Sequence, residues 1–270
     1  MPETYLYGYA SDEQKRLIAQ AEYWREKVIT PGLGYKAGQS LLDIGCGVGA
    51  VLGVIAKDYP GLILAGIDRE PKQIETAKRH LSGAGVADLR VGDAAKLPWA
   101  DGTFDHAFVM WFLEHLRDPD AALKQAFRVL KPGGTITCIE TDYSAFKVWP
   151  QNKDWDVLER AQFEHFKRHG SAIAGRRLGE VLPKAGFESV ESRLHTIHYT
   201  TSHSREELKR HANYVADFMA PVVPELAKLG GPFDAQAMAR GAEYLRTLSN
   251  HPEGLMVNLV YRARGTKPKA

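Results

Sequence analysis

The middle of the chain alternates short apolar runs with longer segments whose apolar positions recur every three or four residues. The run "SLLDIG" (40–45) ends on glycine and predicts a buried strand, and "GAVLGVIAKDYPG" (49–61) follows as a helix stopped by Pro60-Gly61. "LILAGID" (62–68) predicts the next strand. Pro71 then opens a helix with Ile74, Ala77 and Leu81 on one face. Proline suits a first turn, where the N–H groups have no partner inside the helix. "ADLRVGD" (87–93) and "FDHAFVM" (104–110) predict strands three and four. Asp118-Pro119 caps a helix with Leu123, Phe127 and Leu130 facing in. That helix ends at "KPGG" (131–134), and "TITCIET" (135–141) predicts strand five.

Near-continuous apolar strands separated by helices imply a parallel sheet covered on both faces, an α/β doubly wound fold. Ligands in such sheets bind beyond the carboxyl ends of the strands. That rule places Gly45–Gly49, Asp68, Asp93, Met110–His115 and Thr141–Tyr143 along one edge. After residue 150 the pattern loosens. Residues 154–186 read as helical, 188–201 alternate like a strand with one exposed face, and 254–265 form a last strand. Between them Ser204-x-x-Glu207 matches a capping box ahead of two helices. The chain thus reads as a mostly parallel, seven-stranded sheet with a helical N-terminal cap (1–37), a core (38–200 and 251–270) and a helical insertion (201–250).

Composition narrows the function classes. Hydrophobic residues make up 44% of the 270 positions and charged ones 25%, which allows a sizeable core. The formal charge of +2, from 35 basic and 33 acidic residues, is not that of an electrostatic nucleic-acid trap. The basic end "RARGTKPKA" reads as a solvated, frayed terminus. Cys46 and Cys138 form no Cys-x-x-Cys pair and indicate neither zinc nor a disulfide framework. No apolar signal core or membrane-length run is visible. These features predict a cytoplasmic protein, monomer or homodimer, with no membrane or nucleic-acid partner.

The chemistry centres on "LLDIGCGVGA" (41–50). Read as Gly45-x-Gly47-x-Gly49, it suggests a methyl-donor site; read as Gly45-x-Gly47-x-x-Ala50, a dinucleotide site. Asp68, at the end of the second strand, serves either, since both cofactors present ribose hydroxyls to a carboxylate.

Four motifs in order, "LLDIGCGVG", "GID", "VGDAAKLPWADGTFD" and "FVMWFLEHLRDP…VLKPGG", resemble the class I S-adenosylmethionine-dependent methyltransferases. Within them the chain is similar to the small-molecule subgroup that includes the ubiquinone/menaquinone-type C-methyltransferases. The resemblance covers residues 38–145, with weaker echoes to 190. It implies a Rossmann-like methyltransferase fold and S-adenosyl-L-methionine as cofactor. Gly45, Cys46 and Gly47 would pass the methionine part, Asp43 would lie near its ammonium and Asp68 would take both ribose hydroxyls. Arg69 would lie on the adenine edge, Asp93 would accept from the adenine amine and Ala94 would offer its N–H to the ring. Met110, at the end of the fourth strand on the same edge, is read as a further cofactor contact. No metal is implied.

His115 in "FLEHL" falls at the methyl-transfer end, either as a general base or acceptor-orienting group or as a residue that shapes the loop. Tyr143 after the fifth strand is either an acceptor-orienting group or a pocket wall. Tyr5, Tyr7, Tyr9, Tyr23, Trp24 and Arg25 form an aromatic lid or the apolar face of a docking helix. Tyr7 and Trp24 are candidate acceptor contacts, with Trp111 and with Tyr214 and Phe218 of the insertion. The His165-x-x-x-His169 pair has no third ligand and reads as a solvated face. The leading function is methyl transfer to a small, partly aromatic or apolar acceptor. The alternatives are an RNA or nucleic-acid methyltransferase, an NAD-dependent oxidoreductase, and a non-methylating S-adenosylmethionine-binding protein on the same fold.

Overall fold

A computed structural model describes residues 5–85 and 87–269. Strands β1 (Ser40–Ile44), β2 (Ile63–Asp68), β3 (Ala87–Val91), β4 (Phe104–Met110) and β5 (Leu130–Thr141) are parallel in the order β3-β2-β1-β4-β5. The order turns back at β1, which pairs Asp43 with Gly66 of β2 on one side and with Phe108 of β4 on the other. This is the topological switch point, where ligands enter open α/β sheets. Beyond β5 lies β8 (Leu255–Thr266), which pairs antiparallel with β6 (Lys147–Trp149) and also pairs with β7 (Glu188–Thr200). The sheet is therefore eight-stranded rather than seven-stranded. The extra strand, β6, is three residues long, too short to carry a periodic signal.

The first helices follow the sequence closely: α1 (Ser11–Trp24), α2 (Ala50–Asp58), α3 (Pro71–His80) and α4 (Asp120–Val129). Pro71 stands in the first turn of α3 and the Glu70 side chain accepts the Lys72 N–H. The Asp118 carboxylate accepts the Asp120 N–H at 2.9 Å as α4 begins. The stretch read as one helical region from 154 divides at Gly170 into α5 (Lys153–His169) and α6 (Ala174–Lys184).

The insertion holds three α-helices rather than two: α7 (Arg205–Met219), α8 (Val223–Ala227) and α9 (Ala235–Thr247). The break after Met219 falls in "APVVP", where Pro221 and Pro224 carry no N–H to continue the ladder. The capping box at Ser204 does not form. Its hydroxyl bonds back to Thr200 instead, accepting the Thr200 N–H at 2.9 Å. The C-terminal residues are tied down as far as Lys267, which exchanges backbone hydrogen bonds with Gly133 and Gly134 at 2.9 Å.

The chain forms two compact units. The first comprises Tyr9–Glu140, Gly175–Arg193 and 261–269, and its core gathers Leu42, Ile44, Ile67, Phe104, Val109 and Leu182. The second comprises 5–8, Thr141–Ala174 and Leu194–Val260, with Trp155, Leu158, Phe166, Val215, Met238 and Leu245 at its centre. Among the described residues no helix is long and apolar enough to cross a membrane.

Candidate functional site

The loop after β1 is built on left-handed backbone. Gly45, Gly47 and Gly49 have φ of 78°, 50° and 71°, angles that only glycine adopts without cost. A side chain at Gly45 would overlap the Phe112 ring, and one at Gly49 would press on Leu81. The Gly45 and Cys46 N–H groups both reach the Ile67 carbonyl, at 2.9 and 3.0 Å, so the loop is pinned to the end of β2. The Gly47 N–H donates to one Asp68 carboxylate oxygen and the Glu70 N–H to the other, each at 2.9 Å. Cys46 is buried, and burial pushes its thiol well above the usual range, which suits a spacer rather than a nucleophile.

Asp43, on β1 just before the loop, is the most unusual group of this stretch. It is 2% exposed and its Oδ2 has no hydrogen-bond partner. Burial, reinforced by the charge of Asp68, pushes its pKa up to about 8. A buried carboxylate oxygen left unsatisfied is costly and marks a place for a donor. Burial also raises Asp68, while the two backbone N–H bonds pull it down. Arg69 is exposed beside it. The Gly92 N–H bonds the Asp68 carbonyl at 2.9 Å, which brings the β3 exit alongside. There Asp93 is exposed and accepts the Ala95 N–H at 2.8 Å, while Ala94 packs against the core.

On the other side of the switch point, Met110 is buried at the end of β4, paired with Ile139. Trp111 follows with φ 47°, a left-handed conformation rare for so large a residue. Its N–H bonds the Ile139 carbonyl at 2.9 Å. The next three N–H groups, of Phe112, Leu113 and Glu114, all point at the carboxylate of Glu140, at 3.0, 2.8 and 3.2 Å. Glu140 is fully buried, and burial outweighs these three bonds to bring its pKa to about 7. His115 closes the turn with Nε2 3.7 Å from Glu114 Oε1. The sequence reading passed over Glu140 and Phe112. The available signal for Glu140 was one carboxylate within the otherwise uncharged "TITCIET".

Helix α1 belongs to the same unit. Gln14 donates to Gln73 Oε1 at 3.0 Å and accepts from Thr76 Oγ1 at 3.1 Å, fastening α1 to α3. Arg25 pairs with Asp58, and Glu22 with Lys57, at the α2 side. Trp24, 1% exposed, meets Trp111 edge-to-face with centroids 5.5 Å apart at 74°.

Four residues read from the sequence as site residues belong to the second unit. Tyr7, Tyr214 and Phe218 form a run of rings there, with Tyr7–Phe218 centroids at 6.1 Å and Tyr214–Phe218 at 5.4 Å. Gln162 also donates to the Tyr7 hydroxyl at 3.4 Å. The Tyr143 ring stacks on Phe166 at 4.6 Å and lines a cavity of about 540 Å³ with Lys147, Glu159 and Phe163. The N-terminal aromatic cluster read from the sequence is thus divided, with Tyr5 and Tyr7 in one unit and Tyr9, Tyr23 and Trp24 in the other.

A family described as a methyltransferase domain matches residues 42–138. Demethylmenaquinone methyltransferase of Lactobacillus johnsonii is 32% identical over 200 residues, covering 66% of this chain and 80% of that protein. The chain belongs to the class I S-adenosylmethionine-dependent methyltransferases. The ubiquinone/menaquinone biosynthesis C-methyltransferase UbiE of Desulfotalea psychrophila is 35% identical over 161 residues, covering 60% of this chain and 61% of that one. Among solved structures, that of the [4+2]-cyclase SpnF superposes with a TM-score of 0.56 at 23% identity, covering 94% of this chain and 81% of that one, which establishes shared fold. The chain spans 47% and 61% of the length of two of its curated relatives.

The methyl donor of this methyltransferase family is S-adenosylmethionine, and the residues present fit it. The unsatisfied buried Asp43 oxygen suits an ammonium, and the missing side chain at Gly45 lets the Phe112 ring pack directly on the loop. Asp68 ends β2 and Asp93 follows β3 by two residues, at the same carboxyl edge of the sheet.

Proposed function

We propose that the chain transfers a methyl group from S-adenosylmethionine to a small organic acceptor with aromatic or apolar character. The observation that carries this reading is the juxtaposition, at one switch point, of the Asp43–Gly45–Gly47–Asp68 cradle with the apolar wall of Met110, Trp111 and Phe112. The cofactor supplies an electrophilic methyl on a positively charged sulfur, so in-line displacement needs no metal. The protein's part is to bind, align and exclude water. In this reading Asp43 anchors the ammonium, Asp68 the ribose, and Asp93 and Ala94 the adenine. His115 orients the acceptor and takes its proton where the acceptor must lose one. Trp24 and Trp111 are the proposed acceptor contacts of this unit, and the chain works in the cytoplasm.

The relatives named for quinone methylation support a hydroquinone or phenol class of acceptor. The test is incubation with methyl-labelled S-adenosylmethionine and a panel of hydroquinones, phenols, alkyl amines and total RNA. Label is expected in the first two classes. The proposal fails if label enters RNA alone, or if nothing is labelled while S-adenosylhomocysteine still binds. Replacing His115 by Asn then tests the base role, since unchanged turnover and pH dependence would remove it.

A further inference from the structure

The geometry points to Glu140 as a positioning residue that shapes the cofactor loop through the turn leaving β4. Glu140 lies on β5, one residue beyond the last β4–β5 pair, Met110–Ile139. Its two carboxylate oxygens accept three consecutive N–H groups, those of Phe112, Leu113 and Glu114. The three backbone donors favour its charged form, against the cost of burial. A carboxylate accepting several backbone N–H groups holds them more firmly than a neutral acceptor can.

That grip matters because the turn begins at a residue that resists its own conformation. Trp111 has φ 47°, which persists only where surrounding bonds over-determine it. Here the Trp111 N–H is fixed on Ile139 and the following three on Glu140. The turn in turn delivers the Phe112 ring to the one position where a Gly45 side chain would be. So Glu140, through the turn its carboxylate holds, fixes how closely Phe112 covers the first glycine of the cradle. A carboxylate serving only sheet stability would have no reason to face the cofactor loop's cover.

This inference rests on the cofactor assignment, and the experiment separates the two. S-adenosylhomocysteine affinity is measured by titration calorimetry for the wild type, Glu140→Gln and Phe112→Ala. Backbone hydrogen exchange is followed in the free proteins. If the wild type does not bind, the cofactor assignment fails. If it binds, Glu140→Gln is expected to weaken affinity by about tenfold or more, with faster exchange confined to residues 112–114. Phe112→Ala is expected to weaken affinity similarly while leaving Leu113 and Glu114 protected. Unchanged affinity in either variant overturns the proposal. So does a Glu140→Gln protein that unfolds or exchanges faster throughout its sheet, since that would make Glu140 a general structural residue.

Discussion

At Asp43 the decisive quantity is the cost of ionising a carboxylate out of reach of water. Burial brings its pKa to about 8, so in the free protein at neutral pH this group is mostly protonated. An arriving ammonium favours the ionised form and expels the proton. Binding of S-adenosylhomocysteine is therefore expected to release protons below about pH 8, and affinity is expected to rise as pH climbs to that value. Calorimetry at pH 7 in buffers of different ionisation enthalpy measures the proton count. Asp43→Asn is expected to abolish the release and weaken binding. An equal proton count in wild type and Asn variant would show that another group carries the linkage. Asp43 was legible in the sequence because it stands directly before the glycine loop. Glu140 was not, because its role depends on donors 26–28 positions away in the chain, and no local pattern links them.

The elements differ in what holds them. Helix α1 is fastened by the Gln14 hydrogen bonds to α3, by ion pairs near its C-terminal end and by the buried Trp24 indole. Exposed or half-exposed pairs such as Arg25–Asp58 contribute about 0–1 kcal/mol. Truncating a buried aromatic costs about 3–5 kcal/mol, so Trp24 outweighs them. Trp24→Ala is expected to lower the urea midpoint clearly, and Asp58→Asn to shift it little. A larger effect from Asp58→Asn would reverse that ranking. The same contrast explains which elements could be read in advance. The first five strands and their helices carry long apolar runs bounded by glycine, proline and acidic caps, so period and punctuation agree. β6 has three residues and no period. The Ser204 motif matched a capping box in composition, but Thr200 offers its hydroxyl a closer partner. The insertion's third helix arose from two prolines whose consequence depends on where the helix before them ends.

For the whole molecule, the pH dependence of stability follows from its buried carboxylates. Asp43 and Glu140 have native pKa values raised from 3.8 to about 8 and from 4.5 to about 7. A carboxyl with a raised native pKa stabilises the fold fully below its unfolded value, and that contribution is lost as pH rises through the folded one. His106 works in the opposite sense at lower pH. Burial holds this imidazole, stacked on Tyr35 and bonded to Thr135 and Gln39, down to about 4 against an unfolded value of 6.5. Above pH 6.5 it is neutral in both states and drops out. The melting temperature of the free protein is therefore expected to fall between pH 6.5 and 8.5, and less steeply in Asp43→Asn. A rising or flat wild-type curve would contradict the two shifts.

The edge-to-face contact of Trp24 with Trp111 carries one more consequence. Two indoles 5.5 Å apart and inclined at 74° couple their electronic transitions into a chiral exciton pair. One chromophore sits on the N-terminal helix and the other on the turn that Glu140 holds. The molecule thus contains a native spectroscopic ruler, read by circular dichroism without any label, for whether its helix and its cofactor wall stay in register.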